Sequence, residues 1–526
     1  MDTRTSDLRP PQPLRTGDRA PRVTRLRRAT LATIAAVGVM AGSAPLAGAH
    51  ANPAPAPVPA AGAPAAADPA GAPAPADPAS APAGNPAPAT PATPPLGTSL
   101  MHRDMNSSDS VPWSGPGQGQ AVKWSVPGGS CSTVFQGTDG MPIGLCTRYL
   151  GRNLTPITPS VTLFDPDTAQ PLTTLELEKH GLLGGVYGYL DEQGRVVLAE
   201  GHDILRIGHH KDADGWKLTV DERTPLGDIG TDASLAGLVP DGAGRTWFAT
   251  EDAVVGSVEG SGPDATVRTR RVGTEPDEKI ANGLTPRPNG VSVLTTHRLY
   301  EVGADADGTP AVRWQRDYDR GSARKPGQLS WGSGSTPTFF GPDDSRVAIV
   351  DNADGRPNLM VMDAATGEDV CTMPAFETSG QGTENSVIAH GDSLWVPSTY
   401  GFAYPPMAVD GPASPASAPF TGGLTKIDLV RDASGEHCVR QWEKPEARLS
   451  TLPMMTTEDN RIWSFTTDPG RSEVSLLGLD AATGEEVVRR PVGRLPFDEP
   501  MELTGMIAPN GDMWQATATR MVKIEK

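Results

Sequence analysis

One phrase recurs along most of the chain and constrains its fold more than any other feature. A short apolar run is followed by a turn built from Asp, Asn or Gly, and then by a second apolar run, often containing Trp. It reads YLDEQGRVVLAE from Tyr189, LVPDGAGRTWFAT from Leu238, LTPRPNGVSVLTT from Leu284 and FFGPDDSRVAIVD from Phe339. It returns as VIAHGDSLWVPS from Val387, MMTTEDNRIWSFT from Met454 and MIAPNGDMWQAT from Met506. The spacings are 49, 46, 55, 48, 67 and 52 residues, and the longest holds an insertion, AYPPMAVDGPASPASAPFTGG, whose composition reads as an exposed loop. Self-similarity at such a period belongs to architectures in which each repeat is one supersecondary unit.

After each phrase comes a third apolar stretch, such as DILRIG, RLYEVG, NLMVMDA, LTKIDL or VSLLGLDA, and then a fourth, as in WKLTVDE, VRWQRDY, CVRQWEK or EVVRRPV. Period-2 alternation, β-branched residues and turn chemistry at each boundary identify strands. Four short antiparallel strands in about 50 residues describe a β-propeller blade. The stretch from Cys131 to Lys179 is long enough for a degenerate further blade, so residues 118–526 predict an all-β propeller of eight blades, with seven as the alternative. The chain ends after only three strands of its last repeat, while AVKWSVPG from Ala121 supplies a lone strand. Pairing the two closes the ring and removes both exposed edges.

The N-terminal region has a different character. Arg22, Arg25, Arg27 and Arg28 precede a short apolar stretch, Leu31 to Gly42, and an Ala-x-Ala cleavage pattern at Ala49 or Ala51, so residues 1–51 read as an export signal of the general or twin-arginine kind. The apolar stretch is too short to span a bilayer of about 30 Å. Residues 52–117 are expected to be a disordered Pro/Ala-rich linker, because the run to Gly97 has no aromatic side chain with which to build a core. Removing residues 1–51 takes away eight basic and three acidic side chains, moving the formal charge from -18 to -23. A strongly acidic chain without clustered Lys and Arg excludes a nucleic-acid partner. The expectation is a secreted, monomeric ring whose partner is an extracellular protein, a glycan or a small polar ligand, with no membrane span after the signal.

Four Cys in an exported chain most simply form two disulfides, with three connectivities open. Cys131 with Cys146 closes the shortest loop. Cys371 and Cys438 then pair by elimination, if neighbouring blades bring their Cα atoms within about 7 Å.

The turns LFDPDTAQPL, VMDAATGEDV and GLDAATGEEVVRR resemble the Asp-x-x-Thr-Gly turn of quinoprotein-like propellers. In quinone-dependent members that phrase ends in a Trp that docks neighbouring blades, and a vicinal Cys pair lies against the cofactor. Neither stands in GEDVC or GEEVV, so pyrroloquinoline quinone is not expected. PDGAGRTWFAT and APNGDMWQAT are similar to the blade phrase of metal-dependent lactonase-like and streptogramin-lyase-like propellers, which place acidic and Asn ligands at the central channel. The stretch from GSGSTPTFF to PSTYG is similar to an exported actinobacterial propeller group. These resemblances imply a fold and carry no activity by themselves.

Candidate chemistry lies on the innermost strands, which line the channel of a propeller. VDNADG contributes Asp351 and Asn352, GTENSV contributes Glu384 and Asn385, and Tyr400 follows in STYGF. Asp, Asn and Glu are hard oxygen donors, the set calcium takes, and Asp351, Glu384 and Asn385 are the candidate metal ligands. The same side chains also build turns and hydrogen-bond sugars. Asn282 in IANGL, Glu502 in MELTG and Tyr187 in GVYGY are candidates to face the same channel from other blades. His209 and His210 sit in a polar turn. No His-x-x-x-His pair and no Gly-x-Ser-x-Gly elbow occurs. The functional expectation is a binding module without catalytic motifs, the alternative being a divalent-metal-dependent hydrolase or lyase with its site at the channel.

Overall fold

The computed structural model describes residues 98–526 apart from 151–154, 181–186 and 378–381. The expected export signal and the linker up to residue 97 lie outside the described residues. Among the described residues strands dominate, with three single-turn 3-10 helices between them.

The described residues form eight sheets, each built on four antiparallel strands, one of them carrying a fifth, parallel strand. Blade 1 begins with the inner strand Ser130–Gln136, blade 2 with Gly188–Leu190, blade 3 with Leu235–Pro240 and blade 4 with Leu284–Arg287. The inner strands of blades 5 to 8 are Thr338–Phe340, Ile388–His390, Met454–Thr456 and Met506–Ile507. The recurring sequence phrase is thus the inner strand of each blade with its second strand. These strands are mostly buried because both sheet faces are covered: Trp247 and Phe248, adjacent in the second strand of blade 3, point to opposite faces. Trp247 packs into the core shared with blade 4 and Phe248 into the core shared with blade 2. Every pair of neighbouring blades shares such an apolar cluster, including blade 8 with blade 1 through Met506, Trp514, Val134 and Phe164. Burying one large side chain contributes roughly 1.5–3 kcal/mol, so the blade interfaces hold the ring together.

Closure follows the expected device. Val122–Ser125 forms the outer strand of blade 8, pairing with Met521–Ile524 in the register Val122↔Ile524 and Ser125↔Met521. Both disulfides form as paired above. Cys131–Cys146 links the first two strands of blade 1, and Cys371–Cys438 joins the outer strands of blades 5 and 6 with Cα atoms 5.9 Å apart.

The phrases GEDVC and GEEVV lack a terminal Trp, but their two turns are each met by a Trp of the preceding blade. In the turn of blade 5, Asp363 accepts hydrogen bonds from the Ala365 and Thr366 backbone, and Gly367 at φ +72° lies so close to Trp314 that a Cβ would stand 2.5 Å from its ring. The Trp314 indole N–H, on the outer strand of blade 4, donates to the Ala364 carbonyl. Trp442 of blade 6 meets the blade 7 turn in the same way, donating to Ala482 beside Gly484. One sequence expectation needs correction: residues 98–117, assigned to the linker by composition, are placed against the ring. The segment Thr98–Val111 lies along the inner strands, where their unpaired backbone groups are available to an added strand. Leu100 bridges Tyr189 of blade 2, and the carbonyls of Asn106, Ser108 and Asp109 accept the N–H groups of Phe339, Ala389 and Met455 in blades 5, 6 and 7. Ser110–Val111 pairs in parallel with Met455 and Thr456 as a fifth strand of blade 7.

Candidate functional site

Antiparallel alternation sorts the candidate residues. The connections that lead into inner strands, and those joining second strands to third strands, emerge on one face of the ring, here called the upper face. Tyr187 precedes the inner strand of blade 2, Asn282 that of blade 4, Glu384 and Asn385 that of blade 6, and Glu502 that of blade 8. Asp351 and Asn352 follow the second strand of blade 5, and Tyr400 that of blade 6. All seven sequence-predicted ligand residues, and Tyr187, therefore lie on the upper face.

Not all of them converge. The Asp351 carboxylate is held in its own turn, Oδ1 accepting the Ala353 and Asn358 N–H groups at 3.1 and 2.6 Å and Oδ2 the Asn358 side-chain amide at 2.8 Å. Asn352 donates its side-chain N–H groups to the carbonyls of Arg320 and Ala323, anchoring the connection between blades 4 and 5. Asn282 likewise donates to the Ser333 carbonyl. Tyr400 lines a separate cavity of about 130 Å³ with Lys325, Asp354 and Pro415. Asn352 and Asn282 thus position the connection 319–335 across the upper face.

Glu384, Asn385 and Glu502 do come together. The Asn385 amide donates to Glu502 Oε2 at 3.2 Å, joining blade 6 to blade 8. Glu384 is 9% exposed, and its Oε2 accepts the Leu329 N–H at 3.0 Å. The remaining oxygens, Oε1 of Glu384 and Oε1 of Glu502, are buried without a hydrogen-bond partner. Burial pushes both carboxyls up to about 8, with the Leu329 N–H and then Arg324 drawing Glu384, and the Asn385 bond drawing Glu502, part of the way back. Removing a carboxylate from water disfavours its charged form, which is the cause of both displacements. Two phenols stand close by. Tyr187 is raised by burial and by Glu384, and Tyr404 by burial and then by Glu502 and Glu384. Tyr404 belongs to the long insertion of blade 6, which sequence reasoning took for an exposed loop without a role; it has no counterpart in other repeats from which its position could be read.

The insertion folds back over the upper face. The Asp410 N–H donates to the Leu329 carbonyl at 2.7 Å, the Ser414 N–H to the Arg324 carbonyl at 2.9 Å, and the Lys279 ammonium pairs with Asp410 at 2.6 Å. Between the insertion and the connections of blades 3 and 4 lies a cleft of about 430 Å³ lined by Ala233, Asp252, Lys279, Ile280, Leu329 and Val409, among others.

From the opposite, lower face the channel is closed by the segment Thr98–Val111. Its first carbonyl accepts the N–H of Gln136, the last residue of the inner strand of blade 1, and the Val111 carbonyl accepts the N–H of Thr457, just past the inner strand of blade 7. Within it, His102 bonds Asp109 at 3.1 Å and Thr336 at 3.1 Å. Arg103 is fully buried with Nε and one terminal nitrogen unpartnered, and Asp104 is pushed up to about 6 by burial. The only signal of this plug in the sequence is the end of the Pro/Ala run at Gly97 and the appearance of Met, His and charged residues after it.

No protein-family model matches the chain, and no curated protein matches its sequence. Solved structures do. The Chaetomium thermophilum protein Sqt1 is 8% identical over 77% of this chain and 98% of its own, with a TM-score of 0.52. Virginiamycin B lyase from Staphylococcus aureus is 16% identical, covering 64% of this chain and 94% of the lyase at a TM-score of 0.34. A 6-phosphogluconolactonase-like protein from Bacteroides uniformis is 12% identical over 69% and 87% of the two chains, TM-score 0.33. At these identities the likeness is one of fold: the chain is a β-propeller, and its site has to be read from its own residues.

Proposed function

We propose that this chain is an exported binding module that takes a small ligand at the upper mouth of its channel, against Glu384 and Glu502. One observation carries the reading. Two buried carboxyl groups come from different blades, the amide of Asn385, next to the first in the chain, donates to the second, and each carboxyl keeps an oxygen with no partner in the protein. Leaving such acceptors unmade costs about 1–3 kcal/mol each, so a ligand able to donate to them gains what the empty site forgoes. Two disulfides are compatible with an oxidising compartment, and among the described residues no helix is long and apolar enough to cross a membrane. The lower end of the channel is filled, which leaves the upper mouth as the approach.

The reading is checked by thermal unfolding with calcium chloride, putrescine or a monosaccharide added to dialysed protein. A ligand at a hundred times its Kd adds about 2.7 kcal/mol. At least one addition is expected to raise the midpoint by about 2–3 °C in the wild type and to leave the Glu384→Gln/Glu502→Gln double variant unmoved. If none does, or if both proteins respond alike, the proposal fails.

A second reading is favoured by the same unpartnered oxygens: a divalent cation such as calcium held by Glu384, Asn385 and Glu502, polarising a carbonyl for hydrolysis or elimination. It predicts a calcium-specific rise in midpoint, reversed by chelator, together with turnover of a lactone or cyclic ester that chelator abolishes.

A further inference from the structure

We infer that the cleft between the blade 6 insertion and the connections of blades 3 and 4 is a second binding site, and that it takes an uncharged, mainly apolar small molecule. Neither Glu384 nor Glu502 lines it, so the inference stands apart from the carboxyl site. A volume of about 430 Å³ is within the range of small-molecule sites. The walls are largely aliphatic. Ile280 and Ala281 come from the connection into blade 4, Leu329 from the connection into blade 5, and Ala408 and Val409 from the insertion. The charged residues of the lining are already engaged. Asp252 pairs with Arg271 and accepts the hydroxyls of Thr231 and Thr250. Asp410 pairs with Lys279 at 2.6 Å, and Glu251 also has a partner within the protein. A charged molecule entering the cleft would give up its water without gaining a counter-ion, whereas an apolar one gains by leaving water.

The wall that makes the cleft is particular to one blade. The insertion accounts for the 67-residue spacing after the blade 6 phrase, and the other repeats carry nothing like it. In repeat architectures such insertions map to loops on one face, often the face that binds. This one is ordered by the protein's own contacts. The Asp410 N–H donates to the Leu329 carbonyl at 2.7 Å and the Ser414 N–H to the Arg324 carbonyl at 2.9 Å. The Arg324 guanidinium in turn donates twice to the Gly411 carbonyl, at 3.1 and 2.9 Å. At the base of the insertion Phe402 packs edge-on against Tyr404 and Phe420, with ring centroids 5.0 and 5.4 Å apart. A wall fixed in advance spares a ligand the cost of ordering it, which is what lets a modest apolar contact hold a small molecule.

Titration of the full chain with the uncharged fluorophore 6-propionyl-2-(dimethylamino)naphthalene, followed by its emission wavelength, tests this. A saturable blue shift is expected. The uncharged 4-phenylbutan-1-ol should displace the probe, and 4-phenylbutylamine and 4-phenylbutanoate should do so at least tenfold less well. Val409→Trp and Ala281→Phe, which add bulk to the cleft from the insertion and from the blade 4 connection, are each expected to weaken probe binding at least tenfold. An unchanged thermal midpoint verifies that a variant is folded, and either one that keeps its midpoint carries the test. The Glu384→Gln/Glu502→Gln double variant is expected to bind the probe like the wild type, so failure at the cleft and failure at the carboxyls are told apart. No saturable binding, charged congeners that compete as well as the alcohol, or a folded cleft variant that binds like the wild type overturns the inference. Loss of probe binding in the double carboxyl variant overturns it as well, because the apolar ligand would then sit at the channel mouth.

Discussion

Replacing Glu384 with Gln tests the electrostatics of the site through stability alone. The carboxyl is pushed up to about 8 in the folded chain, against an ordinary 4.5. An acid raised on folding binds its proton more tightly in the native state, so stability falls as pH rises between the two values. Below 4.5 both states are protonated and nothing is lost; above about 8 both are ionised and the loss is complete. Across that gap of about 3.5 the cost accumulates at ~1.4 kcal/mol per pH unit, or about 5 kcal/mol if no water or cation enters the site. For roughly 430 folded residues the unfolding entropy is on the order of 0.9 kcal/mol/K, so this is about 5 °C in Tm. Gln keeps a carbonyl for the Leu329 N–H and cannot titrate. Differential scanning calorimetry of both proteins from pH 5 to pH 8.5 should therefore show the variant gaining on the wild type by about 1.5 °C per pH unit. A difference that stays within 1 °C over this range would refute the reasoning. So would a wild type that gains on the variant as pH rises, the sign expected if Glu384 were an ionised partner of Arg324.

Three further outcomes are expected. Gly367→Ala places a Cβ at positive φ and 2.5 Å from the Trp314 ring, so it should cost about 2–4 kcal/mol by urea unfolding, whereas Gly355→Ala, at positive φ in open space, should cost only the backbone part of about 1 kcal/mol. Deleting residues 121–126 leaves the Met521–Ile524 strand unpaired; size-exclusion chromatography should then show self-association that the wild type lacks, and a monomer of undiminished Tm would argue against strand closure. Deleting residues 98–111 strips hydrogen bonds from the inner strands of blades 1, 2, 5, 6 and 7, and hydrogen exchange at Phe339, Ala389 and Met455 should accelerate at least tenfold.

The architecture was legible in the sequence because a propeller blade repeats its most buried strands. Val196–Glu200, Thr246–Thr250 and Ser393–Pro397 are apolar on both faces for the same reason, and their period survives when the outer strands diverge. Blade 1 escaped the pattern, its first two strands carrying a disulfide where the other blades carry the phrase. Glu384, Asn385 and Glu502 were named as polar residues of channel-lining inner strands, whereas they stand in the connections just before those strands. What the sequence could not tell is which carboxylates their own turns consume: Asp351 and Glu384 look alike in sequence, yet Asn358 engages both oxygens of the first and nothing engages one oxygen of the second. Tyr404 and the segment from Thr98 to Val111 were invisible for another reason. They belong to no repeat, and their partners stand far away in sequence.

The plug sets the polarity of the molecule. Its chain enters and leaves the channel by the lower side, at Gln136 and at Thr457. The connections that carry Glu384 and Glu502 open on the other side, so the two mouths of the ring are chemically unlike, one stoppered by the chain's own backbone and one presenting acids.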